Sequence, residues 1–160
     1  MVEIAAVLES VLRTLLTEEG KLSALIVLAL QEQEALVAAD HGEVARVGEA
    51  MIAVAGELEN LGNERERLLG TIGCDELTLD ALLPLADDHG VQGFADARTQ
   101  LLTRALELRN AQESNARLLL SAMKLQEKWM NMFSSLAVTT YGSDGLQEQQ
   151  RGRQFVSRSA

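Results

Sequence analysis

The sequence predicts an all-α protein, an elongated antiparallel three-helix bundle or coiled coil with one short connector helix and a flexible C-terminal tail. Apolar residues recur every three or four positions over long stretches, which is the period of a helix with one buried face. The 160 residues include 12 glycines but one proline, so few positions interrupt a helix. We predict one helical body over residues 1–138, with helices at about 2–38, 41–72 and 96–138, and a tail over residues 139–160.

The first predicted helix carries two rows of apolar residues. One row is a heptad-like seam that Glu18 and Glu32 interrupt, formed by Leu8, Val11, Leu15, Leu22, Leu25, Ala29 and Leu36. A second row widens the stripe and consists of Leu12, Leu16, Ile26, Leu30 and Val37. A stripe of this width favours burial against two neighbouring helices rather than against a single coiled-coil partner.

The second helix has the most regular apolar pattern in the chain. Asp40 is placed to cap its start, and Glu43 is placed to reach back in a reciprocal capping box. The short connection predicts that this helix is antiparallel to the first. Its seam is apolar except at Arg65, whose stem we expect to lie on apolar surface with the charge outside. The seam comprises Val44, Val47, Met51, Val54, Leu58, Leu61, Arg65, Leu68 and Ile72, and Gly73 ends the helix.

A connector and a third long helix follow. Thr78 can cap a short helix, Leu79 to Leu83, which Pro84 is expected to stop, and residues 87–93 are predicted to form a loop. The third helix is predicted to begin near Asp96. Its seam continues through Leu119, Ala122 and Leu125, and we expect polar Gln112 and Asn115 within it to fix the register of the helices.

Charge and composition exclude several classes of partner. The net charge of −10 argues against a nucleic-acid or anionic-membrane surface, because binding to phosphates needs clustered Lys and Arg. The single cysteine, Cys74, cannot form an internal disulfide, and the first residues lack the features of a signal peptide. The most apolar run, Leu22 to Leu30, is too short to span a bilayer. We therefore expect a cytoplasmic protein without membrane insertion.

The residues needed for enzyme chemistry do not occur in suitable patterns. His41 and His89 stand at predicted loop or helix-start positions, and neither belongs to a Glu-x-x-His pair. Cys74 has no activating base nearby in sequence and is typical of a small, buried or half-buried residue. The pair Gly90 and Gly93 lacks the strand and the lysine of a phosphate-binding loop. We predict no catalytic site, no metal and no cofactor.

The aromatic and methionine residues point instead to a binding surface. Of the five aromatic residues, four fall in the last 32 residues, namely Trp129, Phe133, Tyr141 and Phe155. The third helix should outrun the second, which would leave its end incompletely covered. The candidate surface comprises Met123, Trp129, Met130, Met132, Phe133 and Leu136. Pairs such as Met130 with Phe133 and Trp129 with Met132 form two adjacent apolar faces. The alternative is that Trp129 and Phe133 plug the end of the core.

The tail has no sustained period, and its charge is opposite in sign to that of the body. Asp144 and Glu148 stand against Arg151, Arg153 and Arg158, which gives the tail a net charge of +1. A weakly basic segment could fold back on the acidic body or meet an acidic partner. Within it, Tyr141 has no evident reason to be buried, so it is a candidate for binding or for docking the tail.

At these residues the chain resembles the FlgN family of bacterial flagellar export chaperones. The most specific element is Tyr141-Gly142-Ser143-Asp144-Gly145, which follows the apolar helix end at Leu136 to Thr140. A second similarity lies in the first hairpin, at Glu34, Leu36, Asp40, Val44, Val47 and Leu58. The sequence departs from the family pattern at Leu146, where a polar residue is common, and at Arg151-Gly152-Arg153, which replaces a lysine-rich ending.

The resemblance implies a cytoplasmic chaperone that binds the C-terminal helices of the hook-associated proteins FlgK and FlgL before secretion. It also implies that the C-terminal third binds this cargo. In the family the tail tyrosine is implicated in docking on the export gate protein FlhA, and the resemblance implies the same role for Tyr141, with Gly142 and Gly145. The alternative function is a structural coiled-coil protein that homo-oligomerises through its third helix, whereas the chaperone would be a monomer or weak homodimer.

Overall fold

The computed structural model describes residues 3–74 and 77–156, with side chains described as far as Leu136. These residues form four helices, α1 (Ile4–Val37), α2 (His41–Gly70), α3 (Leu79–Asp88) and α4 (Phe94–Val156), and the described part of the chain contains no strand. The all-α prediction is confirmed. The chain divides into two compact units, Met1–Leu118 and Leu119–Ala160.

Helices α1 and α2 form an antiparallel hairpin. The Arg65 guanidinium of α2 pairs with Glu18 of α1 at 2.5 Å, and one helical turn further along α1, Lys21 pairs with Glu57 at 2.5 Å. Residue numbers thus rise along α1 where they fall along α2, so the two helices run in opposite directions. The Arg65 side chain is 32% exposed, and its guanidinium pairs with a carboxylate that is only 6% exposed.

The turn between α1 and α2 is tight and is capped on one side only. The Asp40 side chain accepts a hydrogen bond of 3.0 Å from the Glu43 backbone N–H, as predicted. The predicted return contact from the Glu43 side chain to the start of the helix does not form. The Glu43 carboxylate accepts two hydrogen bonds from Arg46 instead. Ala39 adopts the left-handed conformation, with φ of 54°, although Gly42 stands nearby.

The first half of α4 runs along α1 in the same direction. Arg104 lies within 3.1 Å of Glu19, and Asn115 donates to the Ala29 carbonyl at 2.7 Å. Helix α1 therefore has two helical neighbours, as its wide stripe predicted. The second apolar row of α1 is covered only in part, because α4 meets α1 along the Glu19, Ala29 face. Three residues of that row are about half exposed or more, namely Leu16, Leu30 and Val37.

The connector helix closes the hydrophobic core. The buried cluster draws on every helix of the first unit and contains Val7, Leu8, Val11, Leu15, Leu69, Leu82, Ala86, Val91, Phe94 and Ala97. Pro84 lies inside α3 and does not stop it, so α3 continues to Asp88. Proline removes only one backbone donor, and the Thr78 cap together with the burial of Leu82 and Ala86 holds the helix.

The bounds of α4 differ from the predicted ones. The helix begins at Phe94, which is 2% exposed and anchors the first turn in the core. It continues to Val156 and does not end near Val138. The segment contains no proline, and Gly142 and Gly145 cost about 1 kcal/mol each relative to alanine without removing a backbone donor. The flexibility of the tail, 139–160, stays a prediction.

Candidate protein-binding surface

Six predicted binding residues lie in the described part of α4 and are all exposed. Their exposed fractions range from 44% to 62%, and they are Met123, Trp129, Met130, Met132, Phe133 and Leu136. Large apolar side chains rarely cluster in solvent unless a surface is used for binding. Trp129 and Phe133 are both more than half exposed.

These side chains share one side of the helix. Except for Leu120, which is 56% exposed and lies on the other side, the apolar positions between Leu119 and Leu136 cover roughly half of the helix circumference, at about 100° of rotation per residue. We call this side the α4 apolar face, and it contains Leu119, Ala122, Met123, Leu125, Trp129, Met130, Met132, Phe133 and Leu136. The opposite side is mostly polar and carries Lys124, Glu127, Lys128 and Asn131. The segment is therefore strongly amphipathic.

Three residues of the α4 apolar face were not predicted as part of the surface, namely Leu119, Ala122 and Leu125. Leu119 is 48% exposed and Leu125 is 57% exposed, although their helical spacing assigned both to the core seam. Periodicity indicates which side of a helix is apolar, but it does not indicate whether another helix covers that side. The signal that was available is the switch from Ala and Leu to Met, Trp and Phe beyond Leu119.

The aromatic pair gives the face a defined shape at its centre. The ring centroids of Trp129 and Phe133 are 6.1 Å apart, and the ring planes are inclined by 29°. This spacing is within the range for stacked aromatic rings. Trp129 and Phe133 lie one helical turn apart, so their rings together form a broad apolar ridge. The flexible Met130 and Met132 side chains flank this ridge and can adapt to the shape of a partner.

The net charge of the chain changes sign at the boundary between the units. Residues 1–118 contain 21 acidic and nine basic residues, whereas residues 119–160 contain three acidic and five basic residues. The unit that carries the α4 apolar face is thus weakly basic, and the other unit is strongly acidic. Any partner of this surface would be held mainly by apolar contact, because the charges of the surface are few.

A comparison with models of known protein families assigns the chain to one of them. The sequence model of the family described as FlgN protein matches residues 1–149. The chain belongs to the FlgN family. No curated protein and no solved structure matches it. Membership of the FlgN family indicates a flagellar export chaperone that binds flagellar proteins, and the resemblance found at the Tyr141 element is confirmed.

The predicted docking element of this FlgN chain includes Tyr141, Gly142 and Gly145. Their backbones lie within α4, but their side chains lie outside the described residues. The same holds for Phe155 and Val156. The structure therefore gives no geometry for the Tyr141 side chain, and its role stays a prediction that depends on the family.

The described residues contain no grouping suited to metal binding. No three His, Cys, Asp or Glu side chains in this part of the chain lie close enough together to hold an ion. His41 begins α2 and His89 caps the end of α3, and both are exposed. Cys74 is half-buried beside the hydrophobic core. Among the described helices, none combines the length and the hydropathy that crossing a membrane requires.

Proposed function

We propose that this FlgN chain is a cytoplasmic chaperone that binds the C-terminal helices of the hook-associated proteins FlgK and FlgL. The observation that carries the proposal is the α4 apolar face, whose large side chains are exposed over several helical turns. Amphipathic helices recognise one another through such apolar strips. Covering the strip would keep the cargo helices from assembling before export.

Titration calorimetry with FlgK or FlgL tests this binding site. The Phe133→Asp variant places a charge beside Trp129 on the α4 apolar face. We expect its affinity to fall by about 10- to 100-fold, because a central aromatic anchor is lost and a carboxylate must be desolvated. Asn131→Asp introduces the same charge on the polar side of the same helix and should bind as the wild type does. Unchanged affinity for Phe133→Asp, with helicity retained, would contradict the site.

We further propose that Tyr141 acts at the export gate protein FlhA after cargo is bound. The proposal rests on the family resemblance at Tyr141-Gly142 and on the family match. Tyr141→Ala should lose gate binding and keep cargo affinity, whereas Tyr141→Phe separates the contribution of the ring from that of the hydroxyl. Lost cargo affinity with intact gate binding would reverse the two roles.

A structural homo-oligomer is the second candidate function, because the α4 apolar face could also be buried between copies of the chain. Light scattering over a concentration series separates the two functions. A tight oligomer in the absence of cargo favours the structural function. A monomer or weak dimer that binds cargo in a 1:1 complex favours the chaperone.

A further inference from the structure

The α4 apolar face and Gln126, which lies within its outline, form two adjacent seams, each with the alternating three-four spacing of a helix contact. The first seam is Ala122, Leu125, Trp129, Met132 and Leu136. The second seam is Leu119, Met123, Gln126, Met130 and Phe133. Four residues of each seam lie next in sequence to a residue of the other, all but Leu136 and Leu119, so the two seam axes are about 100° apart around the helix. All ten residues are exposed.

One partner helix cannot cover both seams. A helix that packs against another buries a single stripe of three-four spacing, and residues about 100° away stay in water. A helix with two seams at this angle suits two neighbours that lie roughly at a right angle around it, as in a four-helix bundle. The exposed area therefore fits two helices better than one.

A second copy of this chain would leave part of the face uncovered. Two-fold pairing places the same surface of each copy against the other. If the first seam pairs in this way, the Met130 and Phe133 seam of both copies stays exposed, and the converse holds for the second seam. A closed dimer thus buries only half of the α4 apolar face.

Gln126 distinguishes the two seams. It is the only polar residue in either seam, and it lies at the centre of the second one. A buried side-chain amide without a hydrogen-bond partner costs roughly 1 to 3 kcal/mol, so a helix that covers Gln126 needs a polar group opposite it. The first seam has no such requirement.

We propose that the α4 apolar face receives two adjacent amphipathic helices from one partner chain. The helix on the first seam is apolar along its contact, and the helix on the second seam carries a hydrogen-bonding side chain opposite Gln126. This inference rests on the proposed function and specifies the cargo surface that the chaperone recognises. It requires a pair of helices, and an isolated C-terminal helix of the cargo would occupy one seam.

Methionine oxidation by dilute hydrogen peroxide, followed by mass spectrometry, reads the two seams separately. Met132 reports on the first seam, Met123 and Met130 report on the second, and Met51 in α2 is an internal reference. Saturating cargo should slow oxidation about tenfold or more on both seams, since a buried thioether is shielded from the oxidant. A peptide of one cargo helix should slow oxidation on one seam only.

Calorimetry and light scattering on the same samples separate the possible failures. The inference is overturned if one helical peptide protects both seams, or if bound cargo leaves one seam at its free rate, and the proposed function survives either result. It is also overturned by a complex that contains two copies of this chain for each cargo. Absence of any cargo binding overturns the inference and the proposed function together.

The Gln126→Leu variant tests the polar requirement of the second seam. Its affinity for cargo should fall by about three- to tenfold, because the polar group of the cargo helix loses its partner. Asn131→Leu adds the same side chain on the polar side and should leave affinity unchanged. Tighter binding of Gln126→Leu would contradict the assignment of a polar group to that helix.

Discussion

The Arg65 guanidinium of α2 donates a hydrogen bond of 2.5 Å to the Glu18 carboxylate of α1. The Glu18 side chain is 6% exposed and the Arg65 side chain is 32% exposed. Burial raises the pKa of Glu18 above its ordinary value, and the nearby Arg65 charge and hydrogen bond offset this rise only in part. The pair thus joins the two helices but leaves a carboxylate in a place that disfavours its charge.

Removing Arg65 alone should destabilise the fold. Arg65→Met leaves the buried Glu18 carboxylate without its partner, and we expect a loss of about 3 kcal/mol in the free energy of unfolding. The double variant Glu18→Gln with Arg65→Met should recover most of this loss, because no buried charge remains. Urea denaturation of both variants measures the difference. An equal loss in the two variants would show that the missing charge partner is not the cause.

The pH dependence of stability should carry the signature of Glu18. Its raised pKa means that the folded state binds a proton more tightly than the unfolded state, so its contribution to stability falls as pH rises from about 4.5 through the raised value. Glu18→Gln lacks this titration. Its stability relative to the wild type should therefore increase over that window and then level off.

Glu64 is the matched control for this measurement. Its hydrogen bonds from Arg67 lower the pKa of Glu64, so its contribution is present at neutral pH and is lost as pH falls through the lowered value. Glu64→Gln should therefore lose stability relative to the wild type as pH rises. Urea denaturation at a series of pH values checks both variants. The same direction of change in the two would refute the assignment.

The Glu18 pair also shows what the sequence could predict and what it could not. The three-four spacing located α1 and α2 closely, because a helical period is a local property. The partner of Glu18 is far away in sequence, and only the packing of α1 against α2 brings Arg65 to it. In the same way, spacing could not distinguish the buried Leu15 from the exposed Leu125, since coverage depends on which helices lie nearby.

A change at Ala39 should stabilise the hairpin. Ala39 has φ of 54° at the end of α1, where the Asp40 N–H bonds to the Ala35 carbonyl at 2.9 Å and closes the helix end. The left-handed conformation costs a residue with a Cβ about 1 to 2 kcal/mol, and glycine avoids this cost. Ala39→Gly should therefore raise the free energy of unfolding by about 1 kcal/mol in urea denaturation.

Ala38 is the control for that change. It lies beside Ala39 but has φ of −77°, which suits any L-residue. Ala38→Gly should lower stability by roughly 0.5 to 1 kcal/mol, because glycine adds conformational entropy to the unfolded chain and relieves no strain. Destabilisation by both substitutions would mean that Ala39 is not strained.

Asn115 is a buried polar contact between α4 and α1. Its side-chain N–H groups donate to the Ala29 carbonyl at 2.7 Å and to the Glu32 carboxylate at 2.9 Å, and the residue is 5% exposed. Asn115 was predicted to fix the helix register, and the structure places it against α1 as that role requires. Gln112, predicted to face inward with it, is exposed instead.

Replacing this amide by a carboxylate should disrupt the contact. Asn115→Asp keeps the size of the side chain but turns a donor into an acceptor that faces Glu32 and a carbonyl oxygen. We expect a loss of about 3 kcal/mol at neutral pH, measured by urea denaturation, and a smaller loss in acid where one carboxyl is protonated. Asn110→Asp adds the same charge at an exposed position of α4 and should change stability by less than about 0.5 kcal/mol. Similar losses in the two variants would indicate that added charge on the acidic unit, and not the lost hydrogen bonds of Asn115, sets the effect.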